Sequence, residues 1–209
     1  MRPKFILLLL VAVLLVGCTY HTKDIPTDIA PTAQGKQKYS THLAVLFTPK
    51  LLENAVSVRP LTVHGGRHVY HYRLGPALRT ALLKSVKAAY ADVTVVKVLP
   101  RPKEFDRIIS FDLEYADVRV EFIPGYLRQE AKASAKIAVI MDIIEGASLK
   151  IVRRMPAQGR GSSLKDASGF VSHAPMQFTK AVEDAIQQLS EIVSNLLISG
   201  GAEAGRRVR

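Results

Sequence analysis

Three imidazoles fall within eight residues in His64-Gly65-Gly66-Arg67-His68-Val69-Tyr70-His71, and zinc or copper accepts such ligands. If 68–72 is a strand, however, alternation sends His68 and His71 to opposite faces. No carboxylate or cysteine lies nearby in the chain, and Arg67 and Arg73 oppose a cation. The residues therefore predict a Gly-Gly loop entering an aromatic strand, with no metal and no cofactor. Gly159-Arg160-Gly161-Ser162-Ser163 has the small residues of an anion-cradling loop but lacks the Gly-Lys-Ser/Thr ending of a P-loop. Phosphate groups, such as those of lipid A, remain a candidate ligand for Arg153, Arg154 and Arg160, because a guanidinium can hold phosphate through two hydrogen bonds. Ser163, Asp166, Ser168 and His173 share one polar stretch without the G-x-S-x-G elbow that presents a nucleophile. Asp112 and Glu114 sit two apart on one strand face, with Asp117 and Glu121 beyond. Acidic groups on the polar side of a strand are more often solvated than paired for glycan cleavage. No enzymatic activity is expected.

Cys18 is the one cysteine of 209 residues, so an internal disulfide is excluded. It ends a segment that starts with Arg2 and Lys4 and continues as an apolar run over 5–16, the layout of a secretory signal. Twelve residues are too few for a spanning helix, which needs about 20. Leu15-Val16-Gly17-Cys18 resembles the lipobox of bacterial lipoprotein precursors at all four positions. The resemblance implies cleavage before Cys18, a diacylglyceryl group on its thiol, and three acyl chains (palmitate among them) in the mature protein. Each buried CH₂ contributes about 0.8 kcal/mol, so one chain holds reversibly and three hold in effect permanently. Thr19 follows the cysteine where an inner-membrane protein of enterobacterial type would carry Asp. The expected location is the periplasmic face of the outer membrane.

The chain carries a net charge of +11. Loss of residues 1–17 removes Arg2 and Lys4 and leaves about +9. Inside a cell such a balance would suggest nucleic acid; an exported lipoprotein meets anionic lipid or acidic glycan instead, so no nucleic-acid partner is expected. The excess is scattered, which fits a solvated surface equally well. Residues 18–40 are rich in Thr, Pro, Lys and Gln and read as a tether. Residues 41–198 suffice for one domain with a sizeable core, and the Gly-rich basic stretch 199–209 reads as a frayed tail.

Within the domain, 43–47 and 68–72 read as strands, and Gly75-Pro76 opens an amphipathic helix to about Ala91. A strand over 93–98 follows. The stretch 105–123 alternates but changes phase near Ala116-Asp117, which predicts a bulge, since one residue of slip reverses every later side chain. Strands over 131–144 and 149–153, a polar loop over 159–169 and a helix over 175–198 complete the pattern. The helix stripe of Phe178, Val182, Ala185, Leu189, Ile192 and Leu196, with Ala181, Ile186, Val193 and Leu197 beside it, is wide enough to favour core burial over a coiled-coil seam.

This order predicts an α+β two-layer sandwich, a mostly antiparallel sheet with two helices on one face and the other face wet. A lipobox, a Thr/Pro tether, a strand, a helix, an antiparallel meander and a closing helix resemble small outer-membrane lipoproteins of the YajG-like and lipopolysaccharide-assembly (LptE-like) types. That resemblance implies a non-enzymatic accessory or assembly subunit of a cell-envelope complex with an envelope protein as partner. The alternative is a stand-alone lipoprotein that binds lipid, lipopolysaccharide or glycan.

Overall fold

Leu43, Ala44 and Val45 are all fully buried, which is why this apolar run forms a strand covered on both faces and not an alternating one. The structure is a computed structural model describing residues 19–25, 29, 39–59, 68–123, 130–166 and 174–206. Cys18, the export signal and the segment with His64 lie outside the described residues. In chain order the elements are β1 (Thr19–Asp24), β2 (Tyr39–Phe47), α1 (Pro49–Leu52), β3 (Ala55–Val58), β4 (His68–Arg73), α2 (Gly75–Ala89), β5 (Tyr90–Val96), β6 (Arg107–Ile123), β7 (Glu130–Glu145), β8 (Ile151–Asp166) and α3 (Ala174–Arg206).

The five-stranded main sheet has the order β5-β2-β6-β7-β8. Its three long strands β6, β7 and β8 are successive antiparallel neighbours, while β2 runs parallel to both β5 and β6. Parallel neighbours need a long crossover, and the path from β2 to β5 through α2 supplies one. A smaller sheet, β1-β4-β3, pairs β1 parallel and β3 antiparallel with β4. The class is α+β, as the element order predicts.

One face of the main sheet buries Val45, Phe47, Phe111, Leu113, Val139 and Met141 in a continuous core with Leu78 and Leu82 of α2 and Val182, Ile186 and Leu189 of α3. The two helices meet at small side chains: Ser85 Oγ donates to the Ser190 carbonyl oxygen at 2.8 Å, and both serines are fully buried. This hydroxyl satisfies an acceptor that burial would otherwise leave costly. Tyr39, at the start of β2, donates its hydroxyl to the Ile198 carbonyl at 2.8 Å and thereby ties α3 back to the sheet.

The phase change in β6 is a bulge. Leu113 pairs with Val139 and Tyr115 with Ala138, so Glu114 is the extra residue. The inserted residue returns Val118 and Val120 to the core face that Phe111 and Leu113 occupy.

Three stretches differ from expectation. Thr19–Asp24, inside the expected tether, form β1 along β4. Helix α3 continues through the expected tail to Arg206. Residues 159–166 of the expected loop over 159–169 are instead the second half of β8, which pairs with β7 from Ile151 to Asp166, and 167–169 lie outside the described residues. Pro156 and the two glycines hide this strand in the sequence, and its position at the sheet edge explains how it tolerates them. The Arg160 N–H points away from β7 to Gln188, and peptide groups two and four residues earlier point the same way. Pro156 therefore lacks its N–H on the outer edge, where no ladder bond is lost.

Candidate functional site

Gly159 and Gly161 do not cradle an anion; they let α3 approach β8. A Cβ on Gly159 would stand 1.9 Å from the Ala185 carbonyl oxygen, and one on Gly161 would stand 2.0 Å from that of Ala181. The facing residues are alanines with no exposed surface, so helix and strand backbones pack almost directly. Between the glycines, the Arg160 amide donates to Gln188 Oε1 at 2.6 Å, which occupies an edge donor that a ligand or another strand would otherwise use.

The structure does not bring the three candidate arginines together. Arg153 pairs with Ile143, a member of the helix-side core. Arg154, one residue on, belongs to the opposite face, where it grips Asp142 with Nε to Oδ1 at 2.7 Å and Nη2 to Oδ2 at 2.8 Å. Its hydrogen bonds to the Asp142 carboxylate, and the charge of that group, make the Arg154 guanidinium hold its proton more tightly than usual, and this fork is the one a phosphate would have used. Arg160 lies six residues further along β8, about 20 Å at the rise of a strand.

Away from the parallel corner, the face of the long strands opposite the helices is wet and charge-mixed. Across the three long strands, Asp117, Lys136 and Arg160 form one row and Glu121, Lys132 and Leu164 another. Asp117 also pairs with Arg119, Oδ2 to Nε at 2.8 Å. Tyr115 and Leu164 are exposed apolar groups of this face. Asp112 accepts from Thr48 Oγ1 at 2.7 Å, Glu114 is the bulge residue whose carbonyl oxygen accepts from Lys50 Nζ at 3.2 Å, and the register sets Glu130 opposite Asp166 at the far end of the strands.

At the parallel corner of the sheet, His42 gathers groups 50 and 64 residues away in the chain. Its Nδ1 lies 2.6 Å from Asp92 Oδ2, its amide donates to Asp106 Oδ2 at 2.9 Å, and its ring stacks on Phe105 at 4.6 Å. The cluster fastens β2 to β5 and to the segment before β6, covering the second core of Ala44, Ile108 and Ile144. His71 lies on β4 near Ser57 Oγ, 2.8 Å from its Nδ1. His64 lies outside the described residues, as do Ser168 and His173, while Ser163 and Asp166 belong to β8. Among the described residues no group of three or more His, Cys, Asp or Glu side chains converges as metal ligands, and no helix is long and apolar enough to cross a membrane.

No model of a known protein family matches the sequence, and no curated protein matches it. Solved structures resemble the fold. A Xanthomonas campestris protein of the DUF330 family is 14% identical with a TM-score of 0.53, over 90% of this chain and 99% of that one. A Helicobacter pylori protein described as a homologue of a neuraminyllactose-binding hemagglutinin is 12% identical with a TM-score of 0.50, over 89% of this chain and 98% of that one. A minor lipoprotein of Acinetobacter baumannii is 10% identical with a TM-score of 0.44, over 79% and 96%. At these identities the first two likenesses establish a shared fold for nearly the whole chain.

Proposed function

We propose that this protein is a lipoprotein held on the periplasmic face of the outer membrane by acyl chains on Cys18, serving as a non-enzymatic accessory subunit of a cell-envelope complex. The observation that carries the anchor is the string Leu15-Val16-Gly17-Cys18 at the end of a short apolar run, with the sole cysteine of the chain at its last position. Thr19 in place of Asp supports the outer membrane. The accessory role is supported by the helix-free face of β6, β7 and β8, whose strands run 16 to 17 residues and carry exposed Tyr115 and Leu164 among opposite charges. Such a mixture of an aromatic anchor with satisfied polar groups suits a protein partner. The resemblance to YajG-like and LptE-like lipoproteins points to the same role.

The test is affinity purification of the lipidated protein from detergent-extracted envelopes, with mass spectrometry of proteins and lipids, alongside a Cys18→Ala control. Stoichiometric envelope subunits are the expected result. A solitary protein carrying lipid or glycan would replace the accessory role with that of a stand-alone binder. Retention of the Cys18→Ala protein in the membrane fraction would overturn the anchor.

A further inference from the structure

The first residue after the anchor position is already the first residue of a strand. β1 begins at Thr19, paired in register with His68, and continues alongside β4 to Asp24 opposite Arg73. Successive Cα atoms lie about 3.8 Å apart, so a lipid on Cys18 leaves no slack between the bilayer and the small sheet. The expected tether cannot lift the domain, because its first six residues are part of the fold. Strand β3 runs antiparallel to β4, with Val58 opposite Tyr70 and Ala55 opposite Arg73. The end of the sheet next to the anchor therefore contains Thr19, His68 and the C-terminal end of β3, where Arg59 follows Val58 and is exposed. Two inter-strand steps separate β1 from β3, about 10 Å. Asp24, Arg73 and Ala55 lie at the other end, about 17 Å further from the anchor.

We infer that the end of the β1-β4-β3 sheet bearing Thr19, His68 and Arg59 rests directly on the headgroup layer of the bilayer that holds Cys18. This inference depends on the lipid anchor proposed above. Docking against the membrane fixes the direction of the domain: β1 and β4 rise from the surface, and the connection from β4 to α2 at Leu74 is carried away from it. A basic exposed residue at the contact end suits phosphate-bearing headgroups.

The protein contains no tryptophan, so a single introduced indole reports depth without background. Full-length lipidated Arg59→Trp, Ala55→Trp and Leu164→Trp proteins would be reconstituted in phosphatidylethanolamine/phosphatidylglycerol vesicles carrying a headgroup nitroxide quencher. Quenching at 59 should exceed that at 55 by roughly two-fold, because about 13 Å of strand separates the two positions. A second protein, Arg59→Trp with ten Gly-Ser residues inserted between Cys18 and Thr19, should lose this excess, since such a linker spans about 17 Å. Equal, weak quenching at 55 and 59 in a protein that still floats with the vesicles would overturn the docking and leave the anchor standing. Undiminished quenching after the insertion would overturn it as well. Failure of the parent protein to float would overturn the anchor and the docking together.

Discussion

Gly161 of β8 lies beneath Ala181 of α3 so closely that a Cβ on the glycine would stand 2.0 Å from the alanine carbonyl oxygen. Backbone is the obstacle, so no rotamer change relieves the clash. Gly161→Val, and likewise Gly159→Val, is expected to destabilise the domain by about 1–3 kcal/mol through overpacking, with a Tm lowered by about 2–4 °C for each kcal/mol. Thermal and urea unfolding of the variants measures it; an unchanged midpoint would show that α3 does not lie against β8.

The Gln188 side chain that caps the Arg160 amide gives a local readout. Gln188→Ala leaves that edge donor to water, and amide hydrogen exchange at Arg160 should accelerate about five-fold, the equivalent of roughly 1 kcal/mol for one hydrogen bond. Exchange at Lys136, across the ladder, should stay the same.

Replacement of Arg153, Arg154 and Arg160 together by Ala tests whether these residues form one anion site. Because they are divided between two faces and Arg154 is engaged by Asp142, the triple variant should lose no more affinity for anionic vesicles than a Lys97, Lys103, Lys150 triple-Ala variant, within about two-fold. Co-sedimentation of the unlipidated Cys18→Ala chain provides the comparison, and a selective loss in the arginine variant would establish a shared site.

Alkaline pH should unfold this protein through its buried phenols. Burial pushes the Tyr72 hydroxyl well above its ordinary value, with a further push from Tyr70, and burial raises Tyr70 and Tyr90 too. In the unfolded chain these groups release their protons near pH 10, whereas the folded chain retains them. The unfolded state thus binds fewer protons above about pH 10, and stability, complete below that pH, declines as pH rises toward the folded values. Urea unfolding between pH 9 and 11 should show the decline, and Tyr72→Phe should reduce its slope. A slope unchanged by this substitution would mean that Tyr72 ionises freely in the fold.

Helix α2 was legible because Ala77, Leu78, Ala81, Leu82, Val86 and Ala89 repeat at helical spacing, and all six are buried. Period alone also exposed the bulge, since the core phase of Phe111 and Leu113 could not extend to Val118 without an extra residue. The same reasoning could not place the bulge at Glu114, because Glu114 and Tyr115 are both exposed and either would satisfy the pattern. The His42 cluster was invisible: Asp92 lies 50 residues away, and no local spacing encodes a pair assembled by parallel strands.

The sequence by itself determined the lipobox, the wide stripe of the last helix and the α+β class, because each depends on local order or on hydrophobic periodicity. Only the tertiary structure decided what Gly159-Arg160-Gly161 is for. Small residues at that spacing are compatible with a phosphate loop and with a strand beneath a helix. The choice rests on Ala181 and Ala185, which come close only after α3 folds back on β8. The fate of 19–24 was decided in the same way. A six-residue polar segment has too little apolar surface to order itself, and it becomes a strand because β4 offers it a complete row of backbone partners.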